Sequence, residues 1–174
     1  GEVKILNLFG YTGGATLACA KAGALVTHVD ASKTSINWGR ENQESSGLSD
    51  LPIRWILDDA LAFVKKEIKR GKTYDGILLD PPSFGHGPNG EMWKIEESFL
   101  ELIEDCKKLL SSDPIFFLLN GYSAGYSSIG YLNTISSLKS QFKGILEHGE
   151  LALEEVDGDK RLLPSGIFAR WSKD

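Results

Sequence analysis

Four short segments of this 174-residue chain place ligand-binding residue types just after apolar runs. The first is Phe9-Gly10-Tyr11-Thr12-Gly13-Gly14. Glycines there let backbone amides approach a ligand closely, and the helix that follows offers its positive end to an anion. A tight strand-to-helix turn with no ligand would use the same residues. Asp30, followed by Ala31 and Ser32, stands twenty positions beyond Gly10. A carboxylate at that offset can accept hydrogen bonds from ribose hydroxyls. Alone it would read as a helix cap, and behind the glycine turn binding is the better reading. The third segment, Asp58-Asp59-Ala60, pairs an acid with a backbone amide able to read an amino group and a ring nitrogen, as on adenine. Helix capping suits either acid equally, so the segment does not choose by itself. We take Asp59 as the base contact and Asp58 as the cap. The fourth is Asp80-Pro81-Pro82-Ser83-Phe84. Two prolines lack amide protons and fix their torsions, so the Asp80 and Pro81 carbonyls stay rigid. With the carboxylate, they can hold a nucleophile in line. A rigid turn would explain the prolines and leave the acid unexplained.

The elements that must position these segments alternate between two periodicities. Strands are expected over residues 3–9, 24–29, 53–57, 74–79 and 114–119, each a short apolar run. Between them lie helices to about residue 22, from a Ser32 cap to about 46, over 60–70, and over 96–110. Leu61, Val64 and Ile68 share one face of the third helix, and Phe99, Leu102, Ile103, Cys106 and Leu110 one face of the fourth. Residues 85–95 read as a glycine-rich loop, 132–142 as helix, and 145–155 with 165–171 as two paired strands. The pattern predicts a doubly wound α/β domain spanning residues 1–174, with a mostly parallel seven-stranded sheet closed by a C-terminal antiparallel hairpin. In such a sheet ligands bind beyond the carboxyl ends of the strands, where all four segments fall.

Composition narrows the function classes. The net charge is −5, from 24 acidic and 19 basic residues, which counts mildly against a domain that grips nucleic acid alone. The apolar runs are too short to span a bilayer, and the chain opens on a strand-like segment with no signal-peptide pattern. Cys19 and Cys106 both fall in helical patterns and form no disulfide framework, pointing to a reducing, cytoplasmic setting. Three histidines and two separated cysteines give no metal-ligand spacing, so no metal is expected. A nicotinamide-dependent oxidoreductase fits the glycine turn and Asp30. It lacks Gly-x-Gly-x-x-Gly and a hydride-transfer acid.

Taken together, these segments resemble the class I methyltransferases of the large-subunit ribosomal RNA type I and type K group. The resemblance rests on LNLFGYTGGATL at 6–17, VDAS at 29–32, DDAL at 58–61 and YDGILLDPPSF at 74–84, with GEMWKIEE at 90–97 and LPSGIFARW at 163–171. It implies a Rossmann-like fold, S-adenosyl-L-methionine as methyl donor and structured RNA, ribosomal RNA first, as substrate. It assigns Phe9, Gly10, Tyr11, Thr12 and Gly13 to the methionine end, Asp30, Ala31 and Ser32 to the ribose, and Asp59 and Ala60 to the adenine. Asp80, Pro81 and Pro82 become the catalytic loop, with Asp80 also beside the cofactor, and Ser83, Phe84, Trp93 and Lys94 the substrate side. Trp93 could stack on a base or anchor its loop to the core, Lys94 could meet a phosphate, and His86 reads as a solvated loop histidine.

The chain departs from that pattern in several places. Asn7 stands where many class I enzymes carry an acid near the methionine ammonium. An upstream arm or RNA-binding module, usual in this group, is expected to be missing, which would leave a cofactor-binding module inactive by itself as the alternative. Leu119-Asn120-Gly121-Tyr122-Ser123 follows the fifth strand without the cysteine that cytosine-carbon methylation uses. Ser83 separates the prolines from the aromatic that amino-group enzymes place directly after them.

Overall fold

The computed structural model describes residues 2–123 and 125–174. Five strands run parallel: β1 (Lys4–Leu8), β2 (Leu25–Asp30), β3 (Ile53–Leu57), β4 (Gly76–Leu79) and, further along the chain, β7 (Phe116–Gly121). Helices α1 (Gly14–Lys21), α2 (Lys33–Ser45), α3 (Ala60–Lys69) and α4 (Ile95–Lys108) connect them. The short strands β5 (Phe84–His86) and β6 (Met92–Lys94) lie between β4 and α4. After β7 come α5 (Ser128–Ile135), α6 (Ser137–Phe142), β8 (Ile145–Glu154) and β9 (Leu162–Ser172). The sheet order is β3-β2-β1-β4-β7-β9-β8, with β9 antiparallel to both neighbours. The expected doubly wound, seven-stranded sheet with its closing hairpin is therefore present.

Both faces are covered, which is why the central strands are mostly apolar. Leu6, Leu8, Ile77 and Leu79 belong to the larger core with Phe63, Val64, Leu102 and Ile103 of α3 and α4. Ile5 and Val26 belong to a smaller one under α1, whose Ala20 lets the helix lie close. Strand order reverses between β1 and β4. Their carboxyl ends diverge there and open a crevice.

Four details differ from the sequence reading. Residues 84–94 form a hairpin rather than a loop, turned by a Gly90 N–H bond to the Gly87 carbonyl at 3.1 Å. Its three-residue strands are too short for alternation to register. The helix expected over 132–142 begins at Ser128, because Ser127 Oγ accepts the Gly130 amide at 3.1 Å, and it breaks at Ser136. β4 starts at Gly76, with Tyr74 making only an isolated bridge to Leu110. β9 starts at Leu162, so the hairpin runs past the end of β7, with a register shift between Leu151 and Ala152. Among the described residues no helix is long and apolar enough to cross a membrane, and no group of histidine, cysteine or acidic residues could hold a metal.

Candidate active site

A cavity of about 390 Å³ opens at the carboxyl ends of β1, β2, β3 and β4, within the range of small-molecule sites. Its first wall is the loop after β1. Phe9 and Tyr11 hold φ of 56° and 50°, a left-handed conformation that costs a side-chain-bearing residue about 1–3 kcal/mol and persists only where neighbours impose it. Here the Gly10 amide donates to the Val29 carbonyl at 3.1 Å, and the Tyr11 amide to Asp30 Oδ2 at 2.8 Å. Asn42 Nδ2 donates to the Thr12 carbonyl at 3.0 Å. Gly13 sits at φ 88°, and a Cβ there would stand 2.9 Å from the Trp55 ring. Phe9 and Tyr11 line the cavity, while Gly10, Thr12 and Gly13 form the framework behind them.

Beneath the loop lies a buried polar chain. Asn7 Nδ2 donates to Thr16 Oγ1 at 2.8 Å, and Thr16 Oγ1 hydrogen-bonds His28 Nδ1 at 2.8 Å. His28 is fully buried, its ring 4.4 Å from that of Trp55, and a Cβ on Gly10 would fall 2.4 Å from its Cε1. Only glycine can cross the ring at that height. Asn7 is thus spent on the framework and does not line the cavity. His28 was not singled out in the sequence, because a polar residue inside a strand carries no periodic signal.

Asp30 ends β2 with each carboxylate oxygen already accepting one backbone amide, Tyr11 on Oδ2 and Ser32 on Oδ1, both at 2.8 Å. The side chain is fixed, and each oxygen keeps capacity for one further donor. Ala31 and Ser32 line the cavity beside it, with Ser32 Oγ capping α2 through the Ser35 amide at 3.2 Å. Of the two acids after β3, the cap falls on the second and not on Asp58 as expected. Asp59 is the cap, its Oδ1 accepting the Ala62 amide at 2.8 Å, because the cap is the residue immediately before the first helical one, Ala60. Asp58 instead accepts the Asp59 amide at 3.0 Å and Lys66 Nζ at 2.7 Å. Asp58, Asp59 and Ala60 all line the cavity.

Asp80 closes the opposite wall. It is open to the cavity, yet the protein around it raises its carboxyl above the ordinary value. Pro82 lines the cavity and Pro81 is buried behind it. Trp93 is 4% exposed, donates its indole N–H to the Pro82 carbonyl at 2.7 Å and packs 5.0 Å from the Phe9 ring. Of its two readings, the geometry is that of the anchor, with an edge of the buried ring bordering the cavity. Lys94 lies outside the lining with its amine on Glu97 at 2.8 Å. Ser83 Oγ donates to Ser123 Oγ at 2.9 Å, and Phe84 is half-exposed, edge-on to His86 at 5.0 Å. Gly85, His86, Gly87 and Tyr122 also line the cavity. The hairpin brings in the first three; His86, read as a solvated loop histidine, borders the cavity, and no sequence signal marked Gly85 or Gly87. Tyr122 follows the end of β7.

A sequence profile described as S-adenosylmethionine-dependent methyltransferase matches residues 1–111, well over half of the chain. The chain belongs to the S-adenosylmethionine-dependent methyltransferase family. A crystal structure of such a methyltransferase from Agrobacterium tumefaciens superposes with a TM-score of 0.94 at 41% identity, over 100% of this chain and 57% of that one. Ribosomal RNA large subunit methyltransferase K of Neisseria meningitidis serogroup B is 32% identical over 119 residues, covering 67% of this chain and 34% of that protein. The K/L enzyme of Shewanella frigidimarina is 38% identical over 110 residues, 62% of this chain and 15% of that protein. The chain therefore spans only about a third or less of these curated relatives. The family's methyl donor, S-adenosylmethionine, suits the cavity on two structural grounds. Phe9, Tyr11 and Ser32 line one wall of it, and Asp30 keeps two acceptor positions beside them.

The buried chain under this methyltransferase loop makes stability pH-dependent. Burial pushes His28 from its ordinary 6.5 down to about 4, with the Tyr11 backbone pulling the other way. Between these values the unfolded chain binds a proton that the folded one refuses, so the His28 contribution is full above pH 6.5 and lost as pH falls toward 4. Urea titrations should show a loss of roughly 2–3 kcal/mol from this group between pH 7 and pH 4.5, a slope that flattens in His28→Gln. Equal slopes in the two proteins would place the proton uptake elsewhere.

Proposed function

We propose that this chain transfers a methyl group from S-adenosylmethionine to a nucleobase nitrogen of structured RNA, with large-subunit ribosomal RNA as the first substrate to test and the cytoplasm as its compartment. The reading is carried by one observation: Asp80 and Pro82 line the same cavity as Asp30 and Asp59. The ribosomal RNA methyltransferases among its relatives support the choice of substrate class. The net charge of −5 counts mildly against this chain gripping phosphates by itself.

The donor supplies a methyl carbon on a positively charged sulfur. On this reading Phe9 and Tyr11 hold the methionine end on a backbone framed by Gly10, Thr12 and Gly13. Asp30 takes the ribose hydroxyls, with Ala31 and Ser32 beside it, and Asp59 with Ala60 faces the adenine. Asp80 accepts a hydrogen bond from the acceptor N–H, and the Pro81 carbonyl, fixed by its ring, can accept a second. The nitrogen lone pair then forms the new bond to carbon as the carbon–sulfur pair returns to sulfur, and the displaced proton leaves through Asp80. Its raised carboxyl favours that proton transfer. Orientation supplies most of the acceleration, with a ceiling of roughly 7–11 kcal/mol. Ser83 and Phe84 extend the acceptor side, while Trp93 holds the Pro82 carbonyl and Lys94 remains an outer contact.

A covalent route through cysteine is disfavoured. Cys106 is fully buried, and burial raises its thiol well above the ordinary value. Cys19 is half-buried on α1 and raised in the same sense. Neither follows β4 or β7, and a nucleophilic thiolate needs an accessible, charge-stabilising setting.

Asp30→Ala should weaken S-adenosylhomocysteine binding by about 1.5–3 kcal/mol in titration calorimetry, the value of hydrogen bonds to a charged group. Unchanged affinity in a folded variant removes Asp30 from the site. For Asp80→Ala, methyl transfer by the full-length protein should fall by two orders of magnitude or more (about 10²–10⁴ for a proton-transfer group) while S-adenosylhomocysteine affinity stays within a few-fold. Parallel losses would make Asp80 a cofactor support. Incubation with S-adenosylmethionine and RNA carrying 5-fluorocytosine should leave no denaturation-resistant adduct, and a peptide-mapped adduct on either cysteine contradicts direct transfer.

A further inference from the structure

We propose that Tyr122 is a stacking platform for the acceptor's planar ring, a substrate-positioning residue opposite the cofactor side of the cavity. Tyr122 is 70% exposed, lines the cavity with Asp80, and follows β7. β7 lies parallel to β4 with Leu119 beside Leu79, which brings the residues after both strands to one edge. Single exposed aromatics are common and need no explanation by themselves. What separates Tyr122 from that background is how firmly its backbone is held while its ring is left bare.

Three contacts do the holding. Below, Gly121 lies so close to Tyr131 that a Cβ would stand 2.3 Å from the phenol oxygen. Tyr131 is itself immobilised, fully buried and stacked 5.1 Å from Phe99. On one side β9 presses in through Gly166, at φ 117°, where a Cβ would meet the Gly121 carbonyl at 2.8 Å and lie 3.6 Å from Tyr122 Cβ. Ahead, Ser123 is tied to Ser83 at 2.9 Å. That tie joins the immediate neighbours of the exposed aromatics, Tyr122 and the half-exposed Phe84. Two glycines and a serine pair hold the backbone from which this bare ring projects. A bare aromatic surface on a held backbone, beside a hydrogen-bonding carboxylate, suits a flat heteroaromatic ring presented edge-on to Asp80. Stacking accepts any base, because each has a π face. Tyr122 therefore sets affinity and alignment, and the choice of base lies with the groups at the ring's edge.

This inference rests on the RNA-base reading, and one experiment separates the two. Full-length protein, labelled S-adenosylmethionine and unmodified large-subunit ribosomal RNA transcript are used to measure kcat and KM. Tyr122→Ala should lower kcat/KM by about five- to a hundredfold, mostly through KM, with S-adenosylhomocysteine affinity unchanged. Tyr122→Phe and Tyr122→Trp should restore it, and Tyr122→Leu, equal in bulk without a π face, should not. If the unmutated protein leaves the transcript unlabelled, the RNA reading falls and takes this inference with it. If it labels the transcript and Tyr122→Ala or Tyr122→Leu matches it, the stacking role alone is overturned.

Discussion

The Thr16 hydroxyl, shared between Asn7 of β1 and His28 of β2, is the contact on which the cofactor end of the molecule depends. It meets one nitrogen of each of two polar side chains inside an otherwise apolar layer, where an unmet hydrogen bond costs about 1–3 kcal/mol. It also sets the height of the His28 ring, and the ring sets the path of the loop above it. Gly10 must cross at contact distance, so Phe9 and Tyr11 on either side take up the left-handed turn. The cavity wall is the visible end of an arrangement that begins two layers below it.

From that wall the rest of the site follows by strand order. Asp30 is held by the amide of the loop it faces, so the ends of β1 and β2 behave as one unit. The ends of β4 and β7 are joined by the two serines, and Trp93 fastens the hairpin to the Pro82 carbonyl. The crevice therefore has two halves, each internally tied, meeting where the sheet changes direction. One half carries groups suited to a nucleoside and the other a carboxylate with rigid carbonyls.

Much of this was legible in the residues. Parallel strands buried on both faces are apolar runs, and their carboxyl ends are where Asp30 and Asp80 stand, so fold and principal acids could be read together. The place of the cap, at Asp59 and not Asp58, could not, since it turns on a helix starting one residue later than a cap at Asp58 would require. Trp93 was undecidable because its burial depends on a hairpin of three-residue strands. His28 and Tyr122 were passed over for opposite reasons. One is polar and hidden within a strand; the other is aromatic and bare beyond one, and neither periodicity nor residue type marks such positions.

The hairpin that runs past the end of β7 leaves Leu153, Leu162 and Leu163 at 64%, 65% and 63% exposure, on the free margin of the sheet. An open strand margin with apolar side chains invites a neighbouring molecule to add its own strand, the first step toward aggregation. Here the invitation is withdrawn locally. The register shift between Leu151 and Ala152 breaks the regular ladder, Pro164 removes an amide donor from the partner strand, and Glu150 and Glu154 add like charge to β8. Each of these blunts the margin as a template for a further strand.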